Sequence, residues 1–193
     1  MSEALLELDG LSKAFGAHQV LDGVTARIRP GEIVGLLGPN GSGKSTLLNA
    51  ISGFLPPDAG RVTIAGTDIT ARPAHVVTRA GLARTFQLPN MPTRMTTREV
   101  LRAGDVAAGA PRHMLRRTGR DDRIDALLEM FRLAHVADLP ASSLSGGQKK
   151  LLSVALALRG SPRLLCLDEP TAGVHPELRT EMVRILKQAA GEG

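Results

Sequence analysis

The feature that most constrains the fold is a glycine-rich segment, Gly38–Ser45, which follows an apolar run and precedes a helical pattern. It reads Gly-Pro-Asn-Gly-Ser-Gly-Lys-Ser and matches the phosphate-loop pattern G-x-x-x-x-G-K-[ST]. The apolar run Ile33–Leu37 has the length of a buried parallel strand. The stretch Lys44–Ile51 places its apolar residues on one helical face. The sequence therefore predicts a strand, a tight loop and a helix, in this order.

Such a loop is suited to binding phosphate. Glycines let the chain curl so that successive N–H groups point at phosphate oxygens. The helix that begins near Lys44 adds the positive end of its dipole, on the order of half a charge. Lys44 supplies a charge for the β and γ phosphates, and the Ser45 hydroxyl is a ligand for Mg²⁺. The alternative is a glycine-rich turn that carries a lysine by chance. The loop alone does not separate a kinase, a GTPase and a transport ATPase.

The composition is that of an ordinary globular chain. Apolar residues make up 42% and charged residues 22% of the 193 positions, which excludes wholesale disorder and fits one domain. No apolar run reaches the ~18 residues needed to cross a bilayer, and no signal peptide is visible. The single cysteine, Cys166, excludes an internal disulfide and fits a reducing compartment. With four Phe and neither Tyr nor Trp, a stacking platform for nucleic acid is not expected.

Strand-like and helix-like patterns alternate along the chain, which predicts an α/β fold with a mostly parallel sheet. We place the core at about 1–95 and 160–193 and a helical subdomain at about 96–159. The basic stretch 112–123 favours a solvated helix face over contact with an anionic membrane surface. The predicted strands are 5–8, 18–28, 33–37, 61–65, 82–86 and 164–167, and the predicted helices are 44–51, 99–108, 123–133, 149–158 and 177–190.

Two carboxylates, Asp168 and Glu169, follow the apolar run Leu164–Leu167. In a phosphate-loop fold a second strand delivers an acid to Mg²⁺, and Asp168 is predicted to do so. Glu169 is then placed to orient and deprotonate an attacking water. Since side chains alternate along a strand, the chain must turn here for both acids to reach the site, and Pro170 is consistent with a turn. The alternative is an exposed acidic strand end. Cys166 is expected to be inert and buried.

A second glycine-containing segment, Leu144–Gln148, reads Leu-Ser-Gly-Gly-Gln and precedes a helix. A serine and two glycines at a helix start form another anion-binding nest. One chain has no evident need for two such nests, so the second one is expected to cap the nucleotide of a partner subunit. Taken alone, this segment is better explained as an ordinary capped helix start.

Three segments, in this order, resemble the motifs of ABC-transporter ATPase subunits: Gly38–Thr46, Leu144–Gln148 and Leu164–Glu169. The resemblance spans essentially the whole chain. It implies a RecA-like phosphate-loop core with an N-terminal antiparallel β region and a helical insert. It also implies ATP and Mg²⁺ as ligands, ATP hydrolysis, and a peripheral position on the cytoplasmic face of the cell membrane. The implied partners are a second ATPase subunit, identical or homologous, and transmembrane permease subunits.

The resemblance also implies roles for single residues. Phe15 resembles the aromatic that stacks on adenine, with core packing as the alternative. Gln87 resembles the glutamine that reaches Mg²⁺ and the attacking water, with an exposed loop residue as the alternative. The implied catalytic residues are Glu169, Gln87 and Lys44, and the implied metal ligands are Ser45, Gln87 and Asp168. The implied nucleotide contacts are Phe15, Gly38, Pro39, Asn40, Gly41, Ser42, Gly43, Lys44, Ser45 and Thr46, with Ser145, Gly146, Gly147 and Gln148 acting across a subunit interface.

Three shorter segments resemble the ATPase subunits of branched-chain amino-acid importers: Gly81–Gln87, Leu151-Leu152 and Ala172–Val174. The sequence departs from the family at His175, where an aspartate is usual. It also stops at Gly193, whereas family members continue into a strand whose histidine contacts the γ-phosphate. A truncated chain and a variant that hydrolyses ATP poorly both stay open. So do two other functions: a soluble non-transport ABC ATPase, and a module that uses nucleotide mainly to dimerise.

Overall fold

The structure is a computed structural model that describes residues 4–87, 90–104 and 121–191. The chain divides into two compact units, one formed by residues up to Ala83 together with those from Lys187, the other by Arg84–Leu186. The division into a core and a helical subdomain stays a prediction.

The strands are β1 (Leu6–Phe15), β2 (His18–Ile28), β3 (Ala59–Ile64), β4 (Thr67–Asp68), β5 (Leu82–Arg84) and β6 (Leu164–Cys166). The helices are α1 (Lys44–Ile51), α2 (Ala74–Arg79), α3 (Thr97–Ala103), α4 (Asp122–Met130), α5 (Gly146–Arg159) and α6 (Pro176–Gly191), with 3-10 turns at Ala134–Val136 and Ala141–Ser143.

The first unit is built on an antiparallel sheet with the strand order β2-β1-β3-β4, as the resemblance implied. Leu8 on β1 lies opposite Ala26 on β2 and Val62 on β3. One face of the sheet buries the apolar side chains that alternate along the strands. The other face carries ion pairs such as Glu7–Arg27 at 2.6 Å.

The predicted strand Ile33–Leu37 is wrong. This segment has no strand geometry, and its Ile33, Val34, Leu36 and Leu37 side chains are 62%, 59%, 44% and 91% exposed. A strand is stable only when its N–H and C=O groups pair with a neighbour, and in the described part of the chain no strand pairs with this segment. An apolar run indicates that a segment would be stabilised by burial. It does not show that a neighbouring strand is present to pair with it. The α/β class is nevertheless confirmed, with β5 and β6 forming a separate two-stranded sheet.

The second unit has a helical core to which α3, α4, α5 and α6 contribute. Polar caps set where its helices begin. Thr96 and Glu99 form a capping box for α3, and Asp121 caps α4. Ser145 and Gln148 form a second capping box, at the start of α5, so this helix begins at Gly146 rather than at the predicted residue 149. The fully buried side chains of this core include Leu101, Ile124, Leu128, Phe131, Leu133, Leu152, Met182 and Ile185.

Some expectations fall outside the described residues, namely the end of the predicted helix 99–108 and most of the basic stretch 112–123. Helix α2 was not predicted, because its six residues are too few to show a helical period. Among the residues that the structure describes, no helix has both the length and the apolar character needed for a bilayer crossing.

Cys166 offers a direct test of how β6 is buried. Burial raises the pKa of the Cys166 thiol to about 11, and the positive charge of Arg84 opposes this shift only in part. At pH 8 roughly a thousandth of the thiol is then ionised, against about a quarter in an unfolded chain. We expect iodoacetamide to label the folded protein at least about 100-fold more slowly than the protein in denaturing guanidinium chloride. The chain has one cysteine, so labelling reports this site alone. Equal rates in the two states would contradict the buried placement of β6.

Candidate functional site

The phosphate loop lies in the first unit and is shaped by glycines. Gly41 and Gly43 have φ angles of +82° and +87°, in the left-handed region where glycine is the favoured residue. A Cβ built on Gly43 would lie 3.0 Å from the Val20 carbonyl oxygen and 3.2 Å from a Leu21 methyl carbon. The chain therefore has both a conformational and a steric reason for glycine at this position. Gly43 precedes α1 and provides no side-chain cap, so the first N–H groups of α1 can face an anion.

The Lys44 side chain folds back over this loop. Its ammonium donates to the carbonyl oxygens of Gly38 at 2.8 Å and of Pro39 at 2.7 Å. These two bonds hold a positive charge over the N-terminus of α1, where the helix dipole is also positive. Like charges are brought together here, which is an arrangement that a bound anion stabilises. The loop therefore fits a phosphate group, and the adjacent Ser45 is exposed.

Phe15 ends strand β1 and is not a core residue. Its side chain is 51% exposed, and the Lys13 ammonium lies 5.8 Å from the centre of its ring. The alternative of core packing is therefore wrong. An exposed aromatic ring with a cation on one side is available for stacking on another flat ring.

Asp168 lies just beyond β6 in the second unit. The Thr85 N–H donates to the Cys166 carbonyl at 3.0 Å, so the chain after β5 runs beside the end of β6. There the Arg84 guanidinium reaches the Asp168 carboxylate at 3.3 Å, and the Arg84 side chain is only 5% exposed. The same guanidinium lies 5.2 Å from the centre of the Phe86 ring. Asp168 is thus neutralised by a buried cation in this structure.

Glu169 occupies the turn that the alternation of side chains required. Its φ is +45°, so the backbone enters the left-handed region immediately after Asp168. The Glu169 carboxylate accepts a hydrogen bond from the Gln87 amide at 2.8 Å. Sequence analysis singled out both residues from separate segments, and the structure brings them together. Hydroxyl, amide and carboxylate oxygens are the ligand types that Mg²⁺ uses together with substrate phosphates, and Ser45, Gln87 and Asp168 each carry one of them.

The segment Ser145–Gln148 forms a reciprocal capping box. The Ser145 hydroxyl accepts from the Gln148 backbone N–H at 3.2 Å, and the Gln148 side-chain amide oxygen accepts from the Ser145 backbone N–H at 2.9 Å. The ordinary capped helix start is therefore present. Packing in the second unit does not require the two glycines. A Cβ on Gly146 would meet no heavy atom of the described residues within 4 Å, and one on Gly147 would meet only Leu178 at 3.8 Å.

Sequence reasoning missed Arg84 and Lys150. Arg84 faces Asp168, and the Lys150 ammonium donates to the backbone carbonyls of Glu169, at 3.1 Å, and Ala172. Both residues are next to segments that were singled out, but a lone cation carries no spacing signal. Their position beside a motif was the only available indication.

Comparisons with known proteins agree with the order of these motifs. The family described as "ABC transporter" matches residues 21–172. A probable branched-chain amino acid transport ATP-binding protein, LivG, of Methanocaldococcus jannaschii is 36% identical over 98% of this chain and 77% of its own length. The LivG of Archaeoglobus fulgidus is 38% identical over 93% of this chain and 72% of its own length. The lipopolysaccharide export ATP-binding protein LptB of Escherichia coli is 35% identical over 98% of this chain and 77% of its own length.

Solved structures show the same relationship. A nucleotide-free ATP-binding cassette from an ABC transporter superposes with a TM-score of 0.84 at 34% identity, covering 99% of this chain and 79% of that one. The ADP conformation of an ATP-binding cassette superposes with a TM-score of 0.82 at 34% identity, covering 100% of this chain and 79% of that one. Because the family match and these relatives span most of the sequence, the chain belongs to the ABC transporter family and is an ATP-binding ATPase subunit of that family.

Proposed function

We propose that this protein powers an ABC importer for branched-chain or other hydrophobic amino acids. It would work at the cytoplasmic face of the membrane with a second ATPase subunit and with permease subunits. The hydrogen bond of Gln87 to Glu169, in the turn that follows Asp168, is the observation that carries the hydrolytic part of the proposal. The amino-acid part is supported by similarity to two LivG proteins at 36% and 38% identity.

ATP binding is assigned to the loop, its lysine and the exposed ring. Backbone N–H groups of the loop and of the first turn of α1 would hold the phosphates, and Lys44 would exchange a carbonyl partner for a phosphate oxygen. Phe15 would stack on the adenine. This assignment uses Phe15 together with Gly38, Pro39, Asn40, Gly41, Ser42, Gly43, Lys44, Ser45 and Thr46.

The metal site is assigned to Ser45, Gln87 and Asp168. When bound there, Mg²⁺ would neutralise charge on the β and γ phosphates. Arg84 already neutralises Asp168 at 3.3 Å, so this carboxylate is held in place before any ligand arrives. Charge–charge contacts of this kind are strongest where the partners are shielded from water, and the Arg84 side chain is buried.

Glu169 is assigned as the general base. A carboxylate that accepts a proton from the attacking water raises its nucleophilicity as the γ-phosphorus is approached. The Gln87 amide donates to one carboxylate oxygen and so orients the carboxylate. Because the amide is neutral, it does not neutralise the negative charge that the base needs. The other oxygen would face the water. Positioning of this kind, together with electrostatic stabilisation, is what a protein contributes to phosphoryl transfer.

The segment Ser145, Gly146, Gly147 and Gln148 is assigned to the nucleotide of a partner subunit. Glycine is a poorer helix former than alanine, and packing in the second unit does not compensate for the two glycines at the start of α5. Glycine has no Cβ, so the two glycines would allow the nucleotide of a partner subunit to approach this backbone closely. Two subunits would then enclose ATP between the loop of one and this helix start of the other, and hydrolysis would reopen the pair.

The transported solute needs its own test, because LptB, named for lipopolysaccharide export, is nearly as similar at 35% identity. We expect cells that lack the gene to lose uptake of radiolabelled leucine, isoleucine and valine. The wild-type gene should restore uptake, and the Glu169→Gln variant should not. Normal uptake combined with a loss of surface lipopolysaccharide would instead support export as the second candidate function.

The loop assignment predicts the effect of Lys44→Ala. Loss of one charge-assisted hydrogen bond costs about 1.5–3 kcal/mol, so ATP affinity should fall by roughly ten- to a hundredfold. Calorimetric titration with ATP and Mg²⁺ measures this change. Lys187→Ala is the matched control, because Lys187 is exposed on α6 and its ammonium makes no hydrogen bond or ion pair within the described ranges. Unchanged affinity in the Lys44 variant would refute the assignment of the loop.

The base assignment predicts the effect of Glu169→Gln. An amide still accepts from a neighbour but cannot take a proton, so turnover should fall by about 10²–10⁴-fold while ATP binding is kept. Phosphate release and ATP titration on the same sample separate the two effects. Glu177→Gln removes an exposed carboxylate from the first turn of α6 and should turn over like the wild type. Equal rates for Glu169→Gln and the wild type would exclude Glu169 as the base.

A further inference from the structure

We propose that Lys150 is a positioning residue for hydrolysis: its ammonium holds the backbone turn from Glu169 to Ala172 and so fixes the direction of the Glu169 carboxylate. The inference rests on the proposed role of Glu169 as general base. It assigns Lys150 no contact with ATP. The residue acts only through the main chain of the turn.

The turn needs an external support because its first residue has a disfavoured conformation. Glu169 has a side chain and a φ of +45°, which costs an L-residue roughly 1–2 kcal/mol relative to the right-handed region. Such conformations persist where surrounding contacts hold them. Within the turn one backbone bond is present, from the Ala172 N–H to the Glu169 carbonyl at 3.2 Å. One long backbone bond is a weak restraint on a left-handed residue.

Lys150 adds two bonds to this turn. Its ammonium donates to the Glu169 carbonyl at 3.1 Å and to the Ala172 carbonyl. These two acceptors are the first and last residues of the turn, so one cation bridges both of its ends. A charged donor makes a stronger hydrogen bond than a neutral one. The peptide plane after Glu169 is thereby held, and the carboxylate extends from the Cα adjoining that plane.

The other end of Lys150 is fixed by the burial of α5. The residues that follow it, Leu151 and Leu152, are 2% and 0% exposed, and Val154 and Ala155 are also buried. The backbone from which the ammonium extends therefore cannot shift without disturbing the core of the second unit. Glu169 is held at two points: Lys150 holds its main chain, and Gln87 holds its carboxylate at 2.8 Å.

The same helix begins with Ser145, so one rigid element connects the proposed cap for a partner's nucleotide with the Glu169 turn. A displacement of α5 when the cap closes would reach the Glu169 carbonyl through the Lys150 ammonium. Lys150 would thus couple nucleotide binding at the Ser145 cap to the position of the Glu169 carboxylate.

The test compares Lys150→Met with Lys149→Met and Lys150→Arg. Lys149 is the matched control: Lys149→Met loses the same charge one residue away, and among the described residues the Lys149 ammonium makes no hydrogen bond or ion pair. Arginine keeps a charged donor that can reach both carbonyls. Should Lys150→Met fold poorly, Lys150→Gln takes its place with the same expected results, because glutamine is uncharged and its amide ends one bond short of the ammonium position. Each variant is first compared with the wild type by thermal unfolding.

Hydrogen exchange tests the positioning without any need for activity. In Lys150→Met, the hydrogen-bonded amides of Ala172 and Val174 should exchange at least about tenfold faster, because local opening is no longer opposed by the ammonium. Lys149→Met and Lys150→Arg should exchange at the wild-type rate. Unchanged exchange in Lys150→Met would overturn the inference.

Steady-state kinetics tests the consequence for hydrolysis. We expect kcat of Lys150→Met to fall by about ten- to a hundredfold at an unchanged KM for ATP, because a small misplacement of a catalytic group costs this much. In a Glu169→Gln background the same substitution should have no further effect. Wild-type kcat in Lys150→Met, with loss of activity in Glu169→Gln, would reject the role of Lys150 and leave the base assignment intact. Full activity in Glu169→Gln would reject the base assignment itself.

Discussion

The second unit depends on the burial of one side of helix α5. Leu151, Leu152, Val154 and Ala155 lie at or below 2% exposure in a core shared with α3, α4 and α6. Close packing of this kind allows little movement, so everything attached to α5 is positioned with it. Its N-terminus carries the Ser145 capping box, and one and a half turns later Lys150 reaches the Glu169 turn. The buried apolar face of α5 thereby positions the Ser145 capping box and the Lys150 ammonium, although it makes no contact with the proposed reacting groups itself.

The phosphate loop and the Glu169 turn both use left-handed backbone, but each supports it differently. In the phosphate loop, Gly41 and Gly43 adopt it at little cost because glycine has no Cβ. At Glu169 the residue needs a carboxylate for its proposed role, so glycine cannot serve. The conformation there is maintained instead by the contact of Lys150 with the main chain, and Gln87 holds the carboxylate. The difference follows from what each position has to present to a ligand, main chain in one case and a side chain in the other.

Regular periodicity made parts of the fold predictable. The bounds of β2, His18–Ile28, and of α1, Lys44–Ile51, agree with those predicted from patterning. Strand β1 was predicted to end at residue 8 and runs to Phe15, because register irregularities after Leu8 interrupt the alternation on which the prediction relied. The segment Ile33–Leu37 was predicted as a strand and is exposed, since pairing depends on a neighbour and not on the segment itself.

The amino-acid sequence by itself determined the family, the phosphate loop, the acidic pair and the capped start of α5, because each is a short set of residue types at a set spacing. Only the tertiary structure decided that Arg84 neutralises Asp168, that Gln87 bonds to Glu169 and that Lys150 holds the turn. These contacts join residues from 19 to 84 positions apart. Spacing along a chain carries no information on where two such side chains point. Their directions follow from the packing of the strands and helices that bear them.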